Sequence, residues 1–170
     1  MKRAFLTAFL LAAPIVQGAD KIQNPLIDYA RFQQIAAEVQ PVREQRRLTE
    51  AQFVEMAAQP GTVVLDARSA DKFALRHITG AVSLPFTDFS EESLAKAIPA
   101  KTTRVLIYCN NNFRGAPRSM FDKKAPASLN ISTYIGLATY GYTNVYELGP
   151  LLDVNTTRLT FSGTEVTPAK

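Results

Sequence analysis

Two short runs, Thr62-Val63-Val64-Leu65 and Val105-Leu106-Ile107-Tyr108, constrain this chain more than anything else in it. Both are apolar without alternation, the pattern of a strand covered on both faces. Strands of that kind belong to parallel sheets, which need long crossovers, usually helical, between neighbours. The intervening sequence supplies helices. Thr49 and Gln52 have capping-box spacing and Leu48 with Phe53 has staple spacing, so a helix is predicted over 50–58, stopped by Pro60-Gly61. A helical stretch at 69–75 precedes a second strand at 81–84, and Ser90 caps a further helix whose first turn holds Glu91 and Glu92. After the strand at 105–108, a helix is predicted over 129–140, with Gly141 at its C′ position, followed by a strand over 143–148. The expected fold is therefore α/β, a parallel β-sheet flanked by helices on both faces.

The ends read differently. Residues 1–19 carry Lys2 and Arg3, then an apolar run from Ala4 to Ala13 that is too short to span a bilayer and has signal-peptide flanks. Cleavage after Gly18 places Val16 and Gly18 at the small-residue positions, and cleavage after Ala19 fits less well. The alternative is an uncleaved N-terminal anchor. A cleaved signal peptide implies a periplasmic or secreted protein with no membrane contact once the signal is removed. Its loss also takes away two positive charges, reducing the formal net charge from +4 to +2. That balance, with no basic block interleaved with aromatics, argues against a nucleic-acid partner. Residues 20–47 read as a helical extension and linker: Asn24 as cap, Pro25 at the first helical position, a stripe of Tyr29, Phe32, Ala36 and Val39, an end at Pro41, and a charged linker from Arg43 to Arg47. Residues 151–170 read as a polar tail, in which Arg158 to Phe161 can add an edge strand.

Cys109 is the only cysteine, so no internal disulfide is available, although exported proteins normally use cysteines in pairs. It directly follows the strand at 105–108, on the edge of an α/β sheet where ligands collect. Asn110, Asn111, Asn112, Phe113, Arg114 and Gly115 come next. Asparagines tolerate left-handed conformations, so this loop is expected to curl its N–H groups around the sulfur as an anion-binding nest, with Arg114 holding an anionic donor. That surrounding suits a nucleophilic sulfur. The bland reading is a buried, inert thiol.

The motifs Leu65-Asp66-Ala67-Arg68, His77-Ile78-Thr79-Gly80-Ala81-Val82-Ser83-Leu84-Pro85, Val105 to Cys109, and Gly141 to Gly149 occur in the order found in rhodanese-like domains, and residues 48–150 resemble that family. The resemblance implies a sulfurtransferase: Cys109 would take sulfur from a small anionic donor, such as thiosulfate or a persulfide, and pass it to a thiol, protein or other nucleophilic acceptor. It equally allows a non-catalytic module that binds a partner or carries sulfur. Cys109 to Arg114 matches the six-residue loop of sulfurtransferases, whereas related phosphatases place Arg one position later, where Gly115 stands. This loop departs from the family pattern in having Asn110 where a basic residue is common and Asn112 where a mid-loop glycine is common. In most relatives the loop leads straight into a helix. Here residues 115–127 intervene, so either the helix start is displaced or the insert forms a basic rim or lid, and Arg118 is an alternative to Arg114 as the loop-end arginine.

The remaining landmarks read as structural. Asp66 and Arg68 end a buried strand and are expected to pair and fix loops. His77 is the only histidine and is expected to be satisfied by backbone groups rather than to act as a base. Phe86 and Phe89 read as core. With one histidine and one cysteine a protein-built zinc site is not expected, and no glycine-rich phosphate loop supports a nucleotide, so no cofactor is expected.

Overall fold

The two apolar runs lie side by side in the computed structural model, which describes residues 22 and 24–166. The expected signal, 1–19, lies outside them. In chain order the elements are α1 (Tyr29–Gln45), β1 (Arg47–Leu48), α2 (Glu50–Ala57), β2 (Thr62–Asp66), α3 (Ala70–Leu75), β3 (His77–Ile78), β4 (Val82–Ser83), α4 (Glu91–Ala97), β5 (Arg104–Tyr108), β6 (Phe113–Arg114), α5 (Leu129–Thr139), β7 (Val145–Leu148), β8 (Leu152–Asp153) and β9 (Phe161–Ser162). Short 3-10 turns occupy Phe86–Asp88, Asn110–Asn112 and Ala125–Ala127. β2 and β5 pair in parallel over five residues, from Thr62 opposite Arg104 to Asp66 opposite Tyr108. The central sheet has five strands in the order β1-β7-β5-β2-β4, all parallel, as the expected α/β architecture requires.

Because side chains alternate along a strand, β5 feeds two cores. Val105 and Ile107 pack with Leu94 of α4, with Ile98 just past its end, and with Tyr134 and Leu137 of α5. Leu106 and Tyr108 face the other way, toward Leu48, Phe53, Phe113 and Met120. The capping box at Thr49 and Gln52 forms, and Leu48 and Phe53 are both buried beside it, which fixes how α2 leaves β1. Thr49→Ala removes the side-chain acceptor for the Gln52 N–H and is expected to lower stability by about 1 kcal/mol, read as a urea-midpoint shift at unchanged slope. Ser90 caps α4 as expected, and Gly141 closes α5 at a φ of 81°, which only glycine adopts readily.

Four expectations fail in instructive ways. α1 starts at Tyr29, capped by the Asp28 carboxylate accepting from the Arg31 N–H at 2.8 Å, while Asn24 closes a separate turn. Its buried residue is Ile35; Tyr29 and Phe32 of the expected stripe face outward. Pro41 lies inside α1 instead of ending it. A proline deprives the carbonyl four residues back of its donor, and Ala37 and Pro41 are both exposed, so that carbonyl faces solvent. Arg43 is no linker residue either, since its guanidinium donates twice to the Glu147 carboxylate of β7, at 2.6 and 2.7 Å.

The C-terminal segment is not a tail. β8 pairs with β6, and β9 pairs antiparallel with β3. Leu159 is buried in the same core as Phe53, because its face of the sheet has no long helix to cover it fully. The Glu50 carboxylate accepts from the Thr157 hydroxyl and the Arg158 N–H. The Thr157 bond chiefly holds Glu50 below its usual pKa of 4.5. Among the described residues, no helix is long and apolar enough to cross a membrane.

Candidate active site

Cys109 directly follows β5 at the carboxyl edge of the sheet, where β5 lies between β7 and β2. By strand alternation it projects to the α5 face, and its Sγ lies 3.5 Å from the hydroxyl of Ser128, the N-cap of α5. Of the two alternatives raised by the insert, the displaced helix start is the one seen here. The helix starts late in sequence but not in space, because residues 115–127 loop out and return the α5 N-terminus to the sulfur. That end of an eleven-residue helix is the positive end of its dipole. The sulfur itself is fully enclosed, with Cys109 at 0% exposure.

The asparagines act through their side chains. Residues 110–112 make a 3-10 turn, and no residue other than glycine has a positive φ among the described residues. The expected left-handed nest therefore does not form. Instead the Asn112 carboxamide oxygen accepts from the Cys109 N–H at 2.9 Å and from Asn130 Nδ2 at 3.0 Å. Its Nδ2 donates to the Leu148 carbonyl at 2.7 Å. One buried side chain thereby ties the cysteine backbone to α5 and to the end of β7. Asn110 Nδ2 donates to the Phe121 carbonyl, and Asn111 Nδ2 donates to the Lys123 carbonyl at 2.7 Å. These two carboxamides strap the insert across the loop.

Phe113, Arg114 and Gly115 are not brought to the sulfur. Phe113 is fully buried on the opposite face, edge-on to Tyr108 and Phe161. Arg114 runs along β6, is exposed, and lies 3.8 Å from Asp153. Gly115 has a φ of 88°, and a Cβ there would meet Asn155 and Asp153 at 2.9 and 3.0 Å, so it serves the turn out of β6. Pairing of β6 with β8 draws this stretch away, a long-range cause that counting residues in a loop cannot register. Arg118 is no substitute: its guanidinium is exposed and lies 3.3 Å from Glu165.

The cation that does lie near the site is Arg68, one of the two residues expected to be structural. Arg68 is 3% exposed and forms a bidentate pair with Asp66 at 2.9 and 2.5 Å. It also donates to the carbonyls of Ser119 at 3.0 Å and Arg76 at 2.7 Å. Tyr108 donates to the same Asp66 at 2.5 Å. Burial opposes the charge on Arg68, but its bonds to Asp66 outweigh that and hold it firmly protonated, above its ordinary pKa. Burial, aided by the Asp66 charge, pushes the Tyr108 phenol well above its usual value, so it remains a donor. Through these bonds Arg68 ties the insert at Ser119 and the chain at Arg76 to the end of β2. His77 Nδ1 donates to the Phe73 carbonyl at 2.7 Å and its ring stacks on Phe73. Phe89 is partly buried and packs against the core of Leu94 and Tyr134, as expected, whereas Phe86 is exposed at the edge of a surface groove against α5. Among the described residues no group of His, Cys, Asp and Glu could hold a metal ion.

A family model described as the rhodanese-like domain matches residues 49–149. The chain belongs to the rhodanese-like family. No curated protein matches it. Among solved structures it is similar to the BH2092 protein of Bacillus halodurans, at 21% identity over 67% of this chain and 74% of that one, with a TM-score of 0.47. A rhodanese with anions from E. coli is 22% identical over 60% of this chain and 98% of that one, with a TM-score of 0.41. Protein hp1203 of Helicobacter pylori is 18% identical over 75% and 98%, with a TM-score of 0.47.

Proposed function

We propose that the protein is a sulfurtransferase in which Cys109 carries sulfur as a persulfide. The observation that supports this most is the meeting of Cys109 Sγ with the N-cap hydroxyl of α5, 3.5 Å apart. A sulfur at a helix N-terminus has its anionic forms, thiolate and persulfide alike, stabilised by unpaired N–H groups and the dipole. In the forward step the thiolate attacks the outer sulfur of thiosulfate. The S–S bond of the donor breaks, sulfite leaves with the bonding pair, and Cys109 becomes a persulfide anion. A thiol, protein or cyanide acceptor then attacks the outer persulfide sulfur and returns Cys109 as thiolate. Donor access requires a local opening, because the sulfur is enclosed. Residues 1–19 would direct export to the periplasm or beyond, and the mass of the mature chain checks their removal.

Cys109→Ser is expected to abolish thiosulfate-dependent thiocyanate formation while the fold survives, and donor-treated wild type should gain one sulfur atom at Cys109 by mass spectrometry. Activity that persists in the serine variant would reject the assignment. The complete burial of Cys109 favours a second reading, a non-catalytic rhodanese-like module that binds a partner. Thiol alkylation separates the two: an activated thiolate reacts below the pH at which ordinary cysteines do, and a structural thiol reacts only on unfolding.

A further inference from the structure

Asn112 is buried, and its carboxamide leaves nothing unused. The oxygen accepts from the Cys109 N–H and from Asn130 Nδ2, while Nδ2 donates to the carbonyls of Leu148 and, at 3.3 Å, of Pro150. A carboxamide has two donor hydrogens and two acceptor positions, so this one is saturated and its orientation is fixed. That fixes Asn130 in turn. Toward the Asn112 oxygen it can offer only its Nδ2, and its own oxygen is left buried without a hydrogen-bond partner. A buried acceptor with no donor weakens a fold, and an apolar side chain of the same shape avoids the penalty. Stability therefore does not explain an asparagine at 130.

Geometry does. Asn130 is the second residue of α5, so the bond joins the first turn of that helix, through Asn112, to the backbone N–H of the residue that carries the sulfur. The hydroxyl that caps the same turn lies 3.5 Å from Sγ. The influence of a helix dipole falls off within the first turn, so its support for an anionic sulfur depends on holding the two in register. We propose that Asn112 and Asn130 are positioning residues that hold the Cys109 sulfur on the positive end of α5. The proposal rests on the sulfurtransferase reading, which supplies the need for an anionic sulfur, and names what sets the reactivity of that sulfur in this chain.

A thiolate absorbs in the ultraviolet and Cys109 is the only cysteine, so its ionisation can be titrated in the folded, whole protein with Cys109→Ser as the blank. Asn112→Ala and Asn130→Leu should each move the midpoint up by about one pH unit, a tenfold fall in acidity, as the charged form loses its place at the helix end. Their stabilities should part. Asn112→Ala strands four partners and should lower the urea midpoint, whereas Asn130→Leu removes an orphaned acceptor and should leave it at or above wild type. A tie that served stability alone would not give a weaker acid in a protein as stable as before. Thr49→Ala, at the start of α2, is less stable and should leave the titration where it is. Arg68, Lys72 and Lys123, the cations of the cavity that adjoins Asn110 and Leu129, stay in place in every variant, so the shift reads the tie. A low wild-type midpoint that Asn130→Leu does not move, or that Thr49→Ala moves equally, would overturn the positioning role alone. A wild-type midpoint at the pH of an ordinary cysteine would reject the anionic sulfur itself, and the positioning with it.

Discussion

Arg68→Ala should lower stability by about 3–5 kcal/mol, the range for removing one partner of a buried ion pair. Asp66 is fully buried and the guanidinium is 3% exposed, so the carboxylate left behind cannot rehydrate without opening the structure. Tyr108 and the Arg68 N–H would remain as its donors, neither of them charged. The carbonyls of Ser119 and Arg76 would lose their partner as well. Against a typical total of about 5–15 kcal/mol, such a loss leaves a marginal fold. Urea unfolding measures it, with Arg68→Met in an Asp66→Leu background as the control. That double change replaces the pair by apolar groups and should recover most of the loss. A single-variant loss under about 1 kcal/mol would mean that the pair behaves like a surface bridge. The variant should also free the insert at Ser119, so amide exchange over 116–123 should rise before global unfolding.

What could be read in the sequence was what local rules control. The runs at 62–65 and 105–108 became β2 and β5, the Thr49–Gln52 spacing became a capping box, and Gly141 took the positive φ that its place after α5 demands. Cys109 lay at the strand's end because the apolar run stopped there. The surroundings of the sulfur were not legible, and the asparagines show why. Their backbone tolerance for left-handed turns suggested a nest, but their carboxamides found better use as donors. An irregular insert carries carbonyls that must be satisfied, and the side chains of Asn110 and Asn111 satisfy those of Phe121 and Lys123. Three amide side chains next to thirteen residues of irregular chain were the available signal. Arg114 failed for a different reason: its direction was set by β8, nearly forty residues away, through pairing that no local pattern records. Lys72 and Lys123 come from separate segments and meet only in the fold, where both approach the Phe121 ring.

The same limit of local reasoning makes α1 testable. Arg43→Ala is expected to destabilise the protein by about 3 kcal/mol, although the residue lies outside the stretch matched by the family model. Glu147 is 3% exposed on β7, a strand interior to the sheet, and its two oxygens take their side-chain partners from Arg43 alone. The pair spans the contact between α1 and β7 and counteracts the fault that Pro41 introduces two residues earlier. If the pair holds α1 in place, its loss should also raise amide exchange from 38 to 45 while β5 stays protected. Arg43→Ala combined with Glu147→Leu should be far more stable than Arg43→Ala alone, since the damage lies in the abandoned carboxylate rather than in the missing attraction. Equal losses in the single and double variants would place the stabilisation in the Arg43 stem against its neighbours, and a loss near zero would make α1 the separable extension that its charged sequence suggests.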